Sequence, residues 1–266
     1  MWKRSTTSMS AAASINSHSM RWRYWRQWVL ACLLSLSAAL PADAARVTVY
    51  TNATVAPLVI DEKTGLYPEL VAYLNQLKLD GLDFHLATMP RKRLQAELEK
   101  GTLDGIVIGM MPQWVGDGAQ EKFLWTEPFA HDAFVLVSRD TNPFFFGQPS
   151  APNARVGVTL GYVYPGVDDW IEQNRFVRDN AATEERNLDK LLLGRVDMVV
   201  VTDSVFRYYM RVHRVQGGVI SEALPGKPSD RRFLVPKSMR GVYEQLAPAI
   251  RKLGEDPRWK VIQSRY

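Results

Sequence analysis

Residues 191–201, Leu-Leu-Leu-Gly-Arg-Val-Asp-Met-Val-Val-Val, decide the fold. Residues 98–108, Leu-Glu-Lys-Gly-Thr-Leu-Asp-Gly-Ile-Val-Ile, repeat the same plan. Each stretch reads as a helix end, a glycine, a short step to aspartate and an apolar run. A glycine just past a helix takes the left-handed conformation without a Cβ penalty. A short β-branched run suits a strand buried on both faces of a parallel sheet. Similar strands lie upstream of each copy, at Arg46–Tyr50 and Arg155–Thr159. Strand, helix, glycine, aspartate and strand therefore occur twice, which predicts two α/β lobes of related design.

Residues 1–44 read as a signal peptide rather than as part of the fold. Arg21, Arg23 and Arg26 precede an apolar run, Trp28–Leu40, that is too short for a membrane span. Ala42-Asp43-Ala44 then matches a small-residue cleavage pattern. Met20 offers a second start. The single cysteine, Cys32, falls inside this leader, so the mature chain is expected to have no disulfide, thiolate–metal site or cysteine nucleophile. The leader also holds five of the 33 basic residues and one of the 28 acidic ones, which leaves the remainder nearly neutral. The basic balance of the whole chain is thus no argument for nucleic-acid binding.

Along the mature chain, strands are expected at 46–52, 82–87 and 104–109, with helices opening at Pro68 and Pro90. A further strand is expected at 133–138. Residues 140–153 hold three prolines and Phe144-Phe145-Phe146, and their composition marks a linker. The division read from this is 45–140 for the first part of lobe 1, 141–152 for the hinge, 153–225 for lobe 2 and 226–266 for a return segment completing lobe 1. Phe144-Phe145-Phe146 is expected against the seam between lobes. No P-loop, dinucleotide fingerprint, helix–turn–helix or zinc-protease motif occurs. His85, His131 and His213 lack metal-ligand spacing, so neither a metal nor a cofactor is expected.

The ordered set Pro57 loop, Gly65-Leu66-Tyr67-Pro68-Glu69-Leu70, Gly-x-x-Asp step, Trp125-Thr126-Glu127-Pro128-Phe129, Gly161-Tyr162 and Gly194-Arg195-Val196-Asp197 resembles the periplasmic solute-binding proteins of family 3. These include polar amino-acid receptors of ABC importers. The resemblance covers nearly all of residues 46–266. It implies an α/β, two-lobed, type II periplasmic-binding-protein-like fold with a ligand cleft between lobes joined by a two-segment hinge. It also implies a small-molecule ligand, a periplasmic location, an ABC permease in the inner membrane as partner, and a monomer.

One departure bears on the ligand. Amino-acid-binding members carry a Thr-x-x-Arg clamp just before the aromatic segment, but Val115–Gln120 has no arginine. Lys122 follows and offers only a point charge. Met89-Pro90-Arg91-Lys92-Arg93 resembles a Pro-Trp-x-Arg segment of one family branch, which puts Arg93 beside the cleft; pairing with Glu97 along the helix is the alternative. The resemblance gives Asp203, at the carboxyl end of strand 198–202, the ligand's ammonium, while a helix N-cap remains open to it as well. Gly161 is expected to open a helix whose free N–H groups suit an anion. Tyr162, Trp114 and Trp125 are candidate walls, with core packing the alternative for each.

The expected function is capture of a small polar or zwitterionic solute for import, with no catalytic residue. A periplasmic sensing module signalling to a membrane kinase is one rival. A dehydratase-like enzyme is another, for which His131 with Glu127 or Asp132 is the nearest acid–base pair.

Overall fold

Two sheets organise the computed structural model, which describes residues 45–148, 152–164, 166–226 and 228–266. The expected signal peptide lies outside the described residues. The first sheet contains β1 (Ala45–Thr51), β2 (Leu82–Thr88), β3 (Gly105–Met110), β4 (Leu124–Trp125), β5 (Ala130–Asp132) and β11 (Ser229–Val235). Its order is β2-β1-β3-β11-β4, with β5 on β11. The second sheet contains β6 (Phe134–Arg139), β7 (Arg155–Thr159), β8 (Val177–Ala181), β9 (Met198–Thr202) and β10 (Val219–Ala223), in the order β10-β6-β9-β7-β8. The two halves share a design. A central strand, β1 or β7, runs parallel to both neighbours, and the strands arriving from the other half, β11 and β6, pair antiparallel.

The helices are α1 (Leu66–Gln76), α2 (Arg91–Lys100), α3 (Val167–Gln173), α4 (Glu184–Leu192), α5 (Asp203–Val212), α6 (Arg240–Lys252) and α7 (Pro257–Gln263). They cover both faces of each sheet, which is why the β3 and β9 runs are apolar without alternation. Ile106 and Ile108 face α1, α6 and α7, whereas Val107 faces α2 through Leu94 and Leu98. Likewise Met198 and Val200 pack on α3, and Val199 and Val201 on α4 and α5. The duplicated glycines behave alike: Gly101 and Gly194 both sit at φ 69 just after α2 and α4. Among the described residues no helix is long and apolar enough to cross a membrane.

The division between halves differs from the sequence expectation. Phe134–Arg139, placed with lobe 1, hydrogen-bonds along β9 and β10 in the second sheet. The chain therefore crosses at Asp132–Phe134, not at 141–152, and returns between Ala223 and Ser229. The proline-rich stretch misleads because it is a loop within the second half. Phe144 packs edge-on to Phe176 and Phe146 leans on Trp170, so neither lies at the seam. Residues 149–151 of the expected hinge lie outside the described residues. Gly161 does not open a helix. It lies in an exposed turn, and α3 starts only at Val167 after Gly166. The Tyr162 N–H closes that turn on the Thr159 carbonyl at 3.1 Å, so no helix N-terminus faces the seam there.

Candidate functional site

The two crossings run side by side and each carries a buried charge. Asp132 ends β5 opposite Ser229, and Arg231 lies two residues further along β11, opposite Ala130; the Asp132 and Arg231 side chains retain 4 % and 10 % of their accessible surface. The Arg231 Nη2 donates to Asp132 Oδ2 at 3.3 Å, and its Nη1 donates to the Tyr67 hydroxyl at 3.3 Å. The Arg231 Nε has no protein partner. Burial works against the Arg231 charge, but Tyr67 and Asp132 more than offset it and hold its pKa up. Tyr67 reaches this position because Gly109, at φ 80, has no side chain: a Cβ there would lie 2.0 Å from the Tyr67 Oη.

Asp132 also fastens the second half to the crossing. The Ser204 hydroxyl donates to Asp132 Oδ2 at 2.6 Å, and the Ser204 N–H to Oδ1 at 3.2 Å. Asp132 therefore caps the first turn of α5 from 72 residues away in sequence.

A third ionisable group comes from α4. Glu184 is 4 % exposed. Its carboxyl accepts from the Thr202 N–H at 2.6 Å and from the Thr202 hydroxyl at 3.2 Å. No ion pair reaches Glu184 among the described residues. Desolvation, reinforced by the Asp132 charge, pushes its pKa up to about 7 against the opposing Thr202 bonds and Arg231 charge.

Two aromatic side chains flank this cluster. Trp114 stands in a short 3-10 turn, Pro112–Val115, directly after β3, and is 45 % exposed with the Arg231 guanidinium 5.9 Å from its ring centre. Tyr162 stands in the loop after β7 and is 38 % exposed. Burial of its hydroxyl end and the Glu184 charge raise its pKa, while Arg231 and Arg91 pull it down, so both halves act on this one phenol. The crossings further border a cavity of about 100 Å³, lined on different sides by Asp132, Ser204, Arg231, His131, Leu66 and Tyr266. Glu184, Trp114 and Tyr162 do not line that cavity; with Asp132 and Arg231 they group one fixed cation, carboxyl groups from two elements and partly exposed aromatic rings, chemistry suited to a small charged molecule.

No protein-family model and no curated protein matches the chain. Solved structures do match. An ancestral cationic amino acid solute binding protein superposes with TM-score 0.66 at 16 % identity, covering 85 % of this chain and 96 % of its own. An ancestral arginine-binding protein bound to arginine gives 0.60 at 18 % identity, covering 84 % and 99 %. The periplasmic VFT2 domain of BvgS from Bordetella pertussis gives 0.57 at 19 % identity, covering 92 % and 98 %. The fold is that of the type II periplasmic binding proteins. At these identities the likeness carries the architecture alone.

Within this periplasmic-binding-protein fold the sequence-derived candidates separate. Trp114 and Tyr162 lie beside the charged cluster. Trp125 does not: it is 7 % exposed among Leu94, Leu98 and Leu234, and its Nε1–H donates to Asp117 Oδ2 at 2.8 Å. Asp117 also accepts the N–H groups of Glu121, Lys122 and Phe123, so the stretch lacking the family's arginine is folded around a carboxylate instead. Lys122 extends from that loop with its Nζ close to Gly116.

Arg93 is exposed on α2, and its charge acts on Tyr50, which donates to Asp104. Arg91 is the α2 residue whose charge reaches Tyr162. Both arginines are exposed on α2. Glu97, the expected partner of Arg93, instead accepts from the Thr102 hydroxyl. Asp203 is paired with Arg207 at 2.7 Å and keeps 32 % of its side-chain surface in solvent. The acids at the crossing are thus Asp132 and Glu184. His131 is exposed and paired with Asp230 at 2.7 Å rather than with Glu127 or Asp132. Among the described residues no group of three His, Cys, Asp or Glu side chains could hold a metal ion.

In the sequence Asp132 stands out only as an acid–base partner for His131 and Tyr67 only within the Gly65–Leu70 motif, while Glu184 and Arg231 do not stand out in any motif. One signal was present for Arg231: in β11 it alternates with Phe233 and Val235, which places a charge on a face otherwise buried in the core.

Proposed function

We propose that this chain is a solute receptor that captures a small amino-acid-like zwitterion between its lobes. The observation that carries the reading is the buried charged cluster at the crossings, where Glu184 forms no ion pair among the described residues and feels Arg231 only through its charge. An ammonium group fits Glu184 and Asp132, and a carboxylate fits Arg231, whose Nε is unpartnered. Trp114 and Tyr162 would cover the remainder of the solute. Contacts to both lobes favour the closed arrangement, so binding acts by population shift. Export to the periplasm, delivery to an ABC permease and binding without turnover complete this reading; its support is the fold shared with amino-acid-binding proteins. A second reading, a sensing module of a membrane kinase, is favoured by the BvgS neighbour, which matches 92 % of the chain.

Thermal-shift screening of the purified protein against the common amino acids, ornithine and small amines tests the proposal. A ligand at 100-fold above its Kd stabilises by about 2.7 kcal/mol. The expected result is a shift from at least one zwitterion, lost in Trp114→Ala and Glu184→Gln and kept in Arg93→Ala and Asp203→Ala. A shift that survives in both of the first pair, or no shift from any member, rejects the proposed site.

A further inference from the structure

Residues 263–266, at the end of α7, touch both halves of the molecule beside the crossings. On the first half the hold is multiple. The Gly65 N–H donates to the Tyr266 hydroxyl oxygen at 3.0 Å, the Tyr266 hydroxyl donates to Glu69, and Arg265 Nη1 donates to Glu69 Oε2 at 2.7 Å. Gly65 precedes α1 and Glu69 belongs to it, and α1 packs in the core of the first sheet. On the second half the hold is slighter. Arg211 Nη2, from α5, donates to the Arg265 carbonyl. The Tyr208 ring, also on α5, lies 6.5 Å from the Tyr266 ring at 33°, with the Arg211 guanidinium 5.3 Å from the centre of Tyr208. Gln263 and Tyr266 also wall the cavity that Ser204 and Arg231 border.

We propose that this tail is a strap that restrains opening of the lobes. Among the described residues the chain passes between the halves only at the two crossings, and such crossings are where hinge motion is absorbed. Rotation that separates α5 from α1 must first break the strap's contacts. The asymmetry fixes where it lets go: two ionic or polar ties to Glu69 and one to Gly65 keep the tail on the first lobe, and an exposed bond with a ring contact releases the second. An exposed interaction of this kind is weak, so the strap biases the balance of open and closed forms by a modest factor and does not lock it.

The test needs no ligand. Spin labels are placed at Gln95→Cys on α2 and Val163→Cys in the loop after β7, both exposed, in a Cys32→Ser background. Arg211→Ala with Tyr208→Ala is expected to shift the apo distance distribution to longer values. Glu69→Gln, which loosens the other end, shifts it the same way. Arg207→Ala, one turn away on α5 and paired with Asp203 rather than with the strap among the described residues, leaves it in place. Superimposable distributions for parent and Arg211→Ala with Tyr208→Ala, with circular dichroism showing both folded, overturn the strap. So does an equal shift in Arg207→Ala.

Discussion

Arg231→Ala should lower the free energy of unfolding by about 3–5 kcal/mol, the range for removing one partner of a buried ion pair. The alanine leaves the Asp132 carboxylate, almost without solvent, facing no cation. It also strips the Tyr67 hydroxyl of its donor. Asp132 cannot escape by moving, because Ser204 holds both its oxygens at the start of α5. The loss therefore arises mainly from the stranded charge rather than from the pair's own attraction. This distinction has its own check. Arg231→Met combined with Asp132→Asn removes both charges, keeps a side chain able to bond Ser204 and fills the arginine's space. The double variant should recover most of the loss in urea unfolding. Equal instability of the single and double variants would place the cost in packing.

Glu184→Gln should change how stability responds to pH. The carboxyl is ordinary in the unfolded chain, near 4.5, and pushed up to about 7 in the folded one. The folded state therefore binds this proton more tightly. The stabilising contribution is complete below pH 4.5, declines as pH rises, and is gone above about 7. A separation of that size corresponds to roughly 3 kcal/mol across the window. The glutamine keeps the bond from the Thr202 N–H and never ionises. Its stability should thus exceed that of the parent at pH 8 and approach it near pH 5, as read by urea unfolding at unit intervals. Carboxylates held low, such as Asp117 with its three backbone N–H donors, lose their contribution only below this window. A constant difference between pH 5 and 8 would mean that Glu184 stays ionised throughout.

The architecture was readable because each half repeats a periodic signal that needs only local chemistry. Leu94 and Leu98, or Leu188 and Leu191, mark a helix face, and Gly101 and Gly194 end the helices in the left-handed conformation. The crossing was misplaced because composition punctuates loops without saying which sheet a strand joins. Phe134–Arg139 is a sound strand from sequence, but its assignment depends on pairing with Met198–Thr202, some sixty residues away. The site was the least legible part for the same reason. Glu184 follows Thr183, the cap that accepts from the Arg186 N–H, and reads as an ordinary first-turn acid until Thr202 is seen against it. Asp203 reads as the end of a strand facing the cleft, yet it meets the crossing through its backbone N–H on the Ala133 carbonyl, and it is the Ser204 side chain that bonds Asp132. The exposure of Trp114 and Tyr162 was legible because both stand in loops that follow strands, where no neighbouring element covers a large side chain.

The most direct measurement follows the indole N–H signals of Trp114 and Trp125 by two-dimensional NMR while the solute giving the largest thermal shift is titrated in, with Trp114→Phe and Trp125→Phe supplying the assignments. A solute held between the lobes moves the Trp114 signal to saturation and leaves Trp125, bonded to Asp117 in the core, nearly still. A saturating solute that leaves Trp114 unmoved would show that binding happens elsewhere.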